Sequence, residues 1–319
     1  MSKFVFVFTY VAFFAWMPSG CGSAPPEKLQ IGTNIWPGYE PIYVARDKGY
    51  FDDIHIELNE FRSATQVIQA FTGGDINVAA VTLDEAIRLA YLRQDISIVW
   101  IFNFSNGADA LVTRPEIKEL SGLAQKNIGA EQTALGQYFL SRALEEAGLE
   151  REELKVINMD ISQHEESMLK GTVDAVITFD PVLRSLSKQG FKVLFDSSDL
   201  PNEIIDVLVV RNHVLETNKT QLKQFIQGLN RIRREIQNNI EIHSAFLNRR
   251  LKLNPNEVAE VFADLVIPSP QQQLAVFSER KELLHLFERY ARILNIEDLA
   301  TCKCEQLVNT ELLEQLSED

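Results

Sequence analysis

One order of segments occurs twice in the chain, and this repetition constrains the fold more than any other feature. In the first copy the strand-like run "LQIG" leads through a loop to a helix, and strand, helix and strand follow as far as "DINVAAV". The second copy has the same order from "NIGA" to "VDAVITF". Ile31-Gly32 recurs as Ile128-Gly129, and Gly74 recurs as Gly171, both 97 residues later. Because the copies share little other identity, the repetition indicates a shared architecture, unlike the short period of a solenoid.

Each copy predicts a parallel sheet covered by helices on both faces. Its strands are continuous apolar runs such as "NVAAV" and "DAVIT", as expected for strands buried on both sides. Gly49 and Gly148 follow the first helix of each copy and are typical of residues that end a helix. The sequence therefore predicts an α/β protein with two lobes and mainly parallel sheets.

Two segments predict crossings between the lobes, Val99–Pro115 and Leu200–Asn212, since each combines a strand-like run with a polar break. From about Asn218 the pattern turns helical, and we expect this tail to pack on the first lobe. Asn254-Pro255 and Ser269-Pro270 signal helix starts in the tail. The predicted domains are lobe 1 at residues 28–104 plus 207–319 and lobe 2 at residues 105–206.

The first 20 residues predict a signal peptide. Lys3 precedes Phe4–Met17, an uncharged run too short to span a hydrocarbon core of about 30 Å as a stable helix. The small residues before Cys21 resemble a bacterial lipobox, which makes Cys21 the predicted lipid attachment site and 21–27 a tether. Pro18 stands where a leucine is usual, and ordinary cleavage nearby is the alternative.

Composition excludes several classes of function. The formal net charge is −14 and no basic stripe exists, so nucleic acid is not an expected partner. Cys302 and Cys304 are too close together for an unstrained disulfide, and no neighbouring ligand completes a metal site. We therefore expect no cofactor and no metal.

Ligands of open parallel sheets bind beyond the carboxyl ends of the strands. This rule selects four loops, "TNIWPGYE" and "VTLDEA" in the first copy and "AEQTALG" and "TFDPVL" in the second. If the lobes face each other, the four loops meet at one cleft, with the crossings as its hinge. Some of these loop residues could have a structural role instead of binding a ligand. Asp180, before Pro181, and Thr82, with Glu85, could cap the helices that follow them. Glu40 could stabilise the start of its helix through the helix dipole. Trp36 and Tyr39 fit either a cleft wall or the core.

Several stretches resemble the substrate-binding proteins of ABC importers in the nitrate/sulfonate/taurine group. They are "IGTNIWPGYEPIYVARDKGYF", "VTLDEAIRLA", "SNGADALVTRP", "GTVDAVITFDPV" and "DSSDLPNEIIDVLVVR". The resemblance implies a type 2 periplasmic-binding fold, a lipid-anchored exported monomer, closure on a small molecule, and docking on a permease and its ATPase. Carried over by position, it implies a non-catalytic ligand site at Trp36, Pro37, Gly38, Tyr39, Leu83, Asp84, Ser105, Asn106, Gly107, Thr133, Ala134, Asp180 and Asp206. Glu40, an acidic residue of the same first loop, completes the predicted site.

The charge of the four loops argues against a simple anion as ligand. They contain no lysine or arginine, and an uncompensated carboxylate beside a desolvated anion is costly. We therefore expect a ligand with an amine, a zwitterionic group or a nitrogen heterocycle. The carboxylates expected at the cleft are Glu40, Asp84, Asp109, Glu131, Asp180 and Asp206.

Three other functions fit parts of the sequence. A ligand-sensing subunit would have the same cleft and dock on a receptor. A pyrimidine-precursor synthase of the same fold would carry a Cys-rich motif and a reactive His, whereas this chain has no Cys between positions 22 and 301 and no His in the four loops. A purely structural lipoprotein would leave the cleft loops without a role.

Overall fold

The computed structural model describes residues 27–92, 95–296 and 306–317. The predicted signal peptide, the lipid attachment at Cys21, and the pair Cys302 and Cys304 lie outside these residues. No helix within the described ranges is long and apolar enough to cross a membrane.

Two mixed sheets form the centre of the molecule. The first has the strand order β11-β4-β10-β3-β1-β2, and the second has the order β7-β6-β8-β5-β9. The strands of the first sheet are β1 (Leu29–Asn34), β2 (Ile56–Phe61), β3 (Val78–Thr82), β4 (Ile96–Ser105), β10 (Ile205–Arg211) and β11 (Leu265–Val266). Those of the second are β5 (Asp109–Thr113), β6 (Asn127–Ala130), β7 (Lys155–Asn158), β8 (Ala175–Phe179) and β9 (Lys192–Asp196).

Helices cover both sheets. Those of the two copies are α1 (Glu40–Asp47), α2 (Ala64–Gly73), α3 (Leu83–Tyr91), α4 (Ala134–Ala147), α5 (His164–Lys170) and α6 (Val182–Lys188). The later helices are α7 (Asn212–Thr217), α8 (Lys219–Asn239), α9 (Ser244–Leu251), α10 (Glu257–Ala263), α11 (Pro270–Ser278), α12 (Arg280–Ile293) and α13 (Glu311–Ser317). The predicted α/β class with a helical C-terminal region is confirmed.

The repetition seen in the sequence is a repetition of strand pairing. Ile31 pairs with Val78 in the first sheet, and Ile128 pairs with Ala175 in the second, so both partners recur 97 residues later. A Cβ atom on Gly32 would lie 2.2 Å from Ile76 Cδ1. A side chain at this position would therefore force the Ile76 side chain to move, and glycine avoids that shift.

The crossings add antiparallel strands to each parallel core. β10 pairs antiparallel with both β3 and β4, and β5 pairs antiparallel with both β8 and β9. The sheets are therefore mixed, because the first strand after each crossing, β5 or β10, runs antiparallel to the strands of the βαβ units in its sheet. The domain boundaries expected at 105 and 206 stay a prediction.

The helical tail packs on the first sheet and reaches the second. Phe225 of α8 stacks on Phe51 with ring centroids 4.7 Å apart. Tyr290 of α12 meets Tyr138 of α4, also at 4.7 Å. Ser269 caps α11 as predicted, but the helix expected at Asn254-Pro255 begins two residues later, at Glu257.

Candidate functional site

A cavity lies between the two sheets, where the carboxyl ends of their parallel strands face each other. About 580 Å³ of space between atoms is present there, part of it open to solvent. All four loops selected from the sequence contribute to its wall. The lining residues are Asn34, Trp36, Tyr39, Ala64, Thr82, Glu85, Asp109, Glu131, Thr133, Leu135, Gly136, His164, Ile177, Phe179 and Asp206.

Two aromatic residues of the first loop are fixed by polar residues of the crossing strands. Asn103 and Asp206 are direct partners on β4 and β10. Asn103 Oδ1 accepts a hydrogen bond from Trp36 Nε1 at 3.3 Å, and Asp206 Oδ1 accepts one from Tyr39 Oη at 2.6 Å. Asn103 Nδ2 donates to Asp206 Oδ2 at 2.7 Å and joins the two pairs. The indole and the phenol are thus held as rigid walls.

Gly38 allows Trp36 and Asn103 to approach each other. A Cβ atom at this position would lie 1.8 Å from Asn103 Oδ1 and 2.4 Å from Trp36 Nε1. Both neighbours are buried and hydrogen-bonded to each other, so neither moves without loss.

The variant Gly38→Ala is therefore expected to lower the free energy of unfolding by about 1–3 kcal/mol, because overpacking displaces this network. Urea unfolding monitored by fluorescence measures the change. Gly73→Ala is the matched control, since its Cβ would meet only Asp75 Oδ2, at 3.8 Å. A loss no larger than that of the control would contradict this account of Gly38.

Four buried carboxyl groups line the cavity. Burial raises the pKa of Asp109 to about 8, and it raises the pKa values of Glu131 and Asp206 to about 7. Burial and the neighbouring Asp84 carboxyl group raise the pKa of Glu85 well above its usual range. Among the described residues, no lysine or arginine lines the cavity.

Two of the carboxylates expected at the cleft are instead neutralised by arginines. Glu40 accepts hydrogen bonds from Arg250 of α9, Nε to Oε2 at 2.6 Å and Nη2 to Oε1 at 3.0 Å. Asp180 Oδ2 accepts from Arg184 Nε at 3.0 Å. Asp180 precedes α6 by two residues, and its Oδ1 accepts from the Arg184 main-chain N–H at 3.2 Å, so its side chain also satisfies one main-chain donor in the first turn of the helix. Neither carboxylate lines the cavity.

Other residues implied by the resemblance are also placed outside the cavity wall. Leu83 is part of the apolar core, and Asp84 is buried behind Glu85 on α3. The Ser105–Gly107 turn contacts the residue that follows β9, where Ser197 Oγ accepts from Gly107 N at 2.6 Å. Of the predicted ligand-binding residues, those that do not line the cavity are Pro37, Gly38, Glu40, Leu83, Asp84, Ser105, Asn106, Gly107, Ala134 and Asp180.

The sequence analysis did not select the loops after β2 and β7. Ala64 follows β2, and His164 follows β7, and both line the cavity. Since β2 and β7 run parallel to β1 and β6, their carboxyl ends reach the same edge, and the strand-end rule applied to every parallel strand would have found them. No His lies in the four selected loops, but His164 lines the cavity from the segment after β7. Burial lowers the pKa of His164 to about 4, so its ring is neutral.

Contacts between the two sides close the cavity at several points. Trp36 and Phe179 meet edge to face with centroids 5.3 Å apart. Thr65 Oγ1 donates to Glu131 Oε1 at 3.3 Å. Arg184 Nη1 lies 3.0 Å from Glu260 Oε2 on α10. The cavity is therefore enclosed by groups from both sheets.

Comparison with known proteins gives a family and a fold. Residues 22–246 match the NMT1-like family. The comparison with curated proteins found no match. Similar solved structures include the periplasmic aliphatic sulphonate binding protein SsuA from Escherichia coli, with a TM-score of 0.64 at 19% identity over 81% of this chain and 94% of that one.

Two further structures have the same fold. The alkanesulfonate-binding protein SsuA from Xanthomonas axonopodis pv. citri, bound to MOPS, has a TM-score of 0.66 at 16% identity over 84% of this chain and 96% of that one. The desulfurization enzyme DSZB has a TM-score of 0.65 at 14% identity over 91% of this chain and 99% of that one. At these identities the likeness establishes the periplasmic-binding-protein fold, which serves both binding proteins and an enzyme.

Proposed function

The chain belongs to the NMT1-like family, and from this premise we propose that it is the substrate-binding component of an ABC import system. It closes two lobes, 28–104 plus 207–319 and 105–206, on a small polar organic ligand and delivers that ligand to a membrane permease. The observation that carries the proposal is the cavity enclosed by strand-end loops of both sheets. A ligand that contacts both sides stabilises the closed arrangement and so shifts the population toward it.

We propose further that the ligand bears a protonated amine, a zwitterionic group or a nitrogen heterocycle. Four carboxyl groups line the cavity, and Trp36 and Tyr39 offer aromatic faces to a cation. The E. coli and Xanthomonas neighbours bind sulphonates, but a sulphonate here would lie beside carboxyl groups, and no lysine or arginine among residues 27–92, 95–296 and 306–317 lines the cavity to offset them.

The same proposal includes export and attachment to the membrane through Cys21. A lipid at this position would hold the protein near a permease on the outer face of the membrane, with residues 21–27 as tether. Mass spectrometry of the N-terminal peptide from the native host tests the attachment, and an unmodified Cys21 in that peptide would overturn it.

Native mass spectrometry of the mildly purified mature protein tests the binding function. We expect a mass excess that corresponds to one small organic molecule. The variant Trp36→Leu keeps a buried apolar side chain but removes the indole face, and it is expected to lose at least about 90% of that excess. Ile35→Ala is the matched control, because Ile35 is 40% exposed and does not line the cavity.

Titration calorimetry with amines and sulfonates extends the test to ligand class. Tight binding of a bare oxyanion with all amines inert would overturn the proposed ligand. If the bound molecule were converted to a product during incubation with the protein, the binding role would be overturned in favour of an enzyme.

A further inference from the structure

Four side chains of the cavity wall present buried polar atoms that have no hydrogen-bond partner within the described part of the chain. These atoms are Thr82 Oγ1, Glu85 Oε1, Asp109 Oδ2 and His164 Nδ1. Glu85 and Asp109 are 2% and 4% exposed, so water does not readily satisfy them. A buried acceptor without a donor is costly, and a ligand that supplies donors removes that cost.

The two carboxyl groups are fixed on different sides of the cavity. Glu85 lies in the first turn of α3, where its Oε2 accepts from the Thr82 main-chain N–H at 3.1 Å. Asp109 is the first residue of β5 in the second sheet, where its own N–H donates to Ser197 Oγ at 3.3 Å. A single donor group that contacts both carboxyl groups would bridge the two sheets.

His164 adds a third acceptor of the same kind. Its Nε2 lies 3.4 Å from the carbonyl oxygen of Met159, and with the hydrogen on Nε2 the ring nitrogen Nδ1 accepts. The ring is neutral because burial lowers its pKa to about 4. The unpartnered atoms thus comprise three acceptors and one hydroxyl group, which matches a ligand rich in N–H donors.

We propose that Glu85 and Asp109, which present unpartnered oxygens from the two sides of the cavity, form a two-carboxyl clamp for a ligand that carries protonated nitrogen. The inference rests on the proposed binding function of the cavity. His164 accepts a further N–H of the same ligand. The ammonium keeps its own proton, each clamp carboxyl group releases its proton to solvent, and the bound pair is an ammonium between carboxylates.

The groups around the clamp favour this exchange of its protons for a bound cation. Glu85 faces Asp84, Glu131 and the Tyr39 phenol, and Asp109 faces Asp206, Asp84, Asp180 and the same phenol. The nearby cations are Arg88, which acts on Asp84, and Arg184, which is bound to Asp180. With burial and these carboxyl groups acting together, the pKa of Asp109 lies at about 8, and that of Glu85 is raised in the same direction.

The sign of the pH dependence follows from these shifts. Near pH 7 the empty clamp is mainly protonated, whereas the clamp that holds a cation is ionised. Raising the pH from about 6 to 8 removes the competing protons and is expected to strengthen cation binding, by up to about tenfold per pH unit for each proton released.

Two steps test the clamp in the mature full-length chain. Thermal shifts are first measured with alkylammonium, amidinium and cationic N-heterocycle probes, each beside a neutral hydroxyl analogue and an alkylsulfonate. The strongest binder is then titrated by calorimetry at pH 6, 7 and 8 in two buffers of different ionisation enthalpy, which counts the protons exchanged. We expect an amine-type probe to bind best and to release one to two protons near pH 7.

Glu85→Gln and Asp109→Asn keep the shape of the protonated side chains and are expected to fold. Each should weaken binding at least about tenfold and remove about one released proton. Glu166→Gln is the control, because Glu166 is exposed and pairs with Lys170 on the surface. Circular dichroism of each variant verifies the fold.

The outcomes separate the clamp from the function on which it rests. The clamp is overturned if a sulfonate or a neutral analogue binds more tightly than every amine. It is also overturned if an amine binds without proton release and with the same affinity in both variants. In either case the proposed binding function remains. Absence of binding by every probe, together with no carried-over ligand in native mass spectrometry, overturns both.

Discussion

Replacing Arg250 with alanine is expected to lower the free energy of unfolding by about 3–5 kcal/mol, because it leaves the Glu40 carboxylate buried without its partner. Glu40 is 1% exposed and is held by two hydrogen bonds from Arg250, at 2.6 and 3.0 Å. The same guanidinium contacts Glu60 and lies 3.7 Å from the centre of the Tyr43 ring. One side chain of α9 thus joins α1 and β2 to the helical tail.

The loss should depend on pH in a defined direction. Burial already raises the pKa of Glu40 with Arg250 in place, and removal of the guanidinium raises it further. A carboxyl group with a raised pKa binds its proton more tightly in the folded state, so the variant should lose less stability at pH 5 than at pH 8.

Urea unfolding of the native chain and of the Arg250→Ala variant at pH 5 and pH 8 measures the loss of stability. Arg249→Ala is the matched control, because Arg249 is exposed on the same helix and is expected to change stability by no more than about 0.5 kcal/mol. The double variant Glu40→Gln/Arg250→Ala should recover part of the loss. A loss for Arg250→Ala equal to that of the control would contradict the role assigned to this pair.

The second large effect is a decline in the stability of the ligand-free protein as the pH rises. Burial raises the pKa values of Asp206 and Glu131 to about 7 and that of Asp109 to about 8, so the folded state holds protons that the unfolded chain has released. Each such proton lowers stability by about 1.4 kcal/mol per pH unit. Between pH 6.5 and 8.5 we expect a loss of about 3 kcal/mol.

Groups with lowered pKa values oppose this decline only weakly within the pH window. The contribution of Glu257, whose pKa is about 2, is complete well below pH 6.5, whereas His164, whose folded pKa is about 4, still adds less than about 0.5 kcal/mol above pH 6.5 as the unfolded histidine loses its proton. Denaturant unfolding at 0.5-unit steps, about four intervals across the window, measures the slope. The double variant Glu85→Gln/Asp109→Asn should show a flatter profile, and stability that stays level or rises in the native chain would contradict the prediction.

Much of the fold could be predicted because its signals are local. The periodicity of apolar residues predicted the βα order of both copies, and the pairings Ile31–Val78 and Ile128–Ala175 reproduce the 97-residue offset read from the sequence. Thr82 and Glu85 form the predicted hydrogen bond at the start of α3 because the two residues are three positions apart. The mixed character of the sheets was not predicted, since strand direction at the crossings depends on partners distant in the sequence, such as Asp109 with Phe179 and Asp206 with Thr82.

The candidate site also has a part that was predicted from the sequence and a part that was missed. The four strand-end loops were selected from the sequence alone, and each contributes to the cavity. The contribution of His164 was missed because the strand-end rule was applied to two strands of each sheet, whereas a third parallel strand ends at the same edge. The assignment of all these residues to ligand binding stays a prediction.

By itself the sequence determined which elements form, which loops lie at the carboxyl ends of parallel strands, and that those loops are acidic. The tertiary structure sets which carboxyl groups have an arginine partner and which do not. Glu40 receives Arg250 from 210 residues away, and Asp180 receives Arg184 through one turn of α6, while Glu85 and Asp109 each retain an oxygen without a donor. Charge pairing depends on distance in space. The Asp180–Arg184 pair lies four positions apart and could be read from a local pattern, whereas the Glu40–Arg250 pair forms only when the helical tail packs on the first sheet.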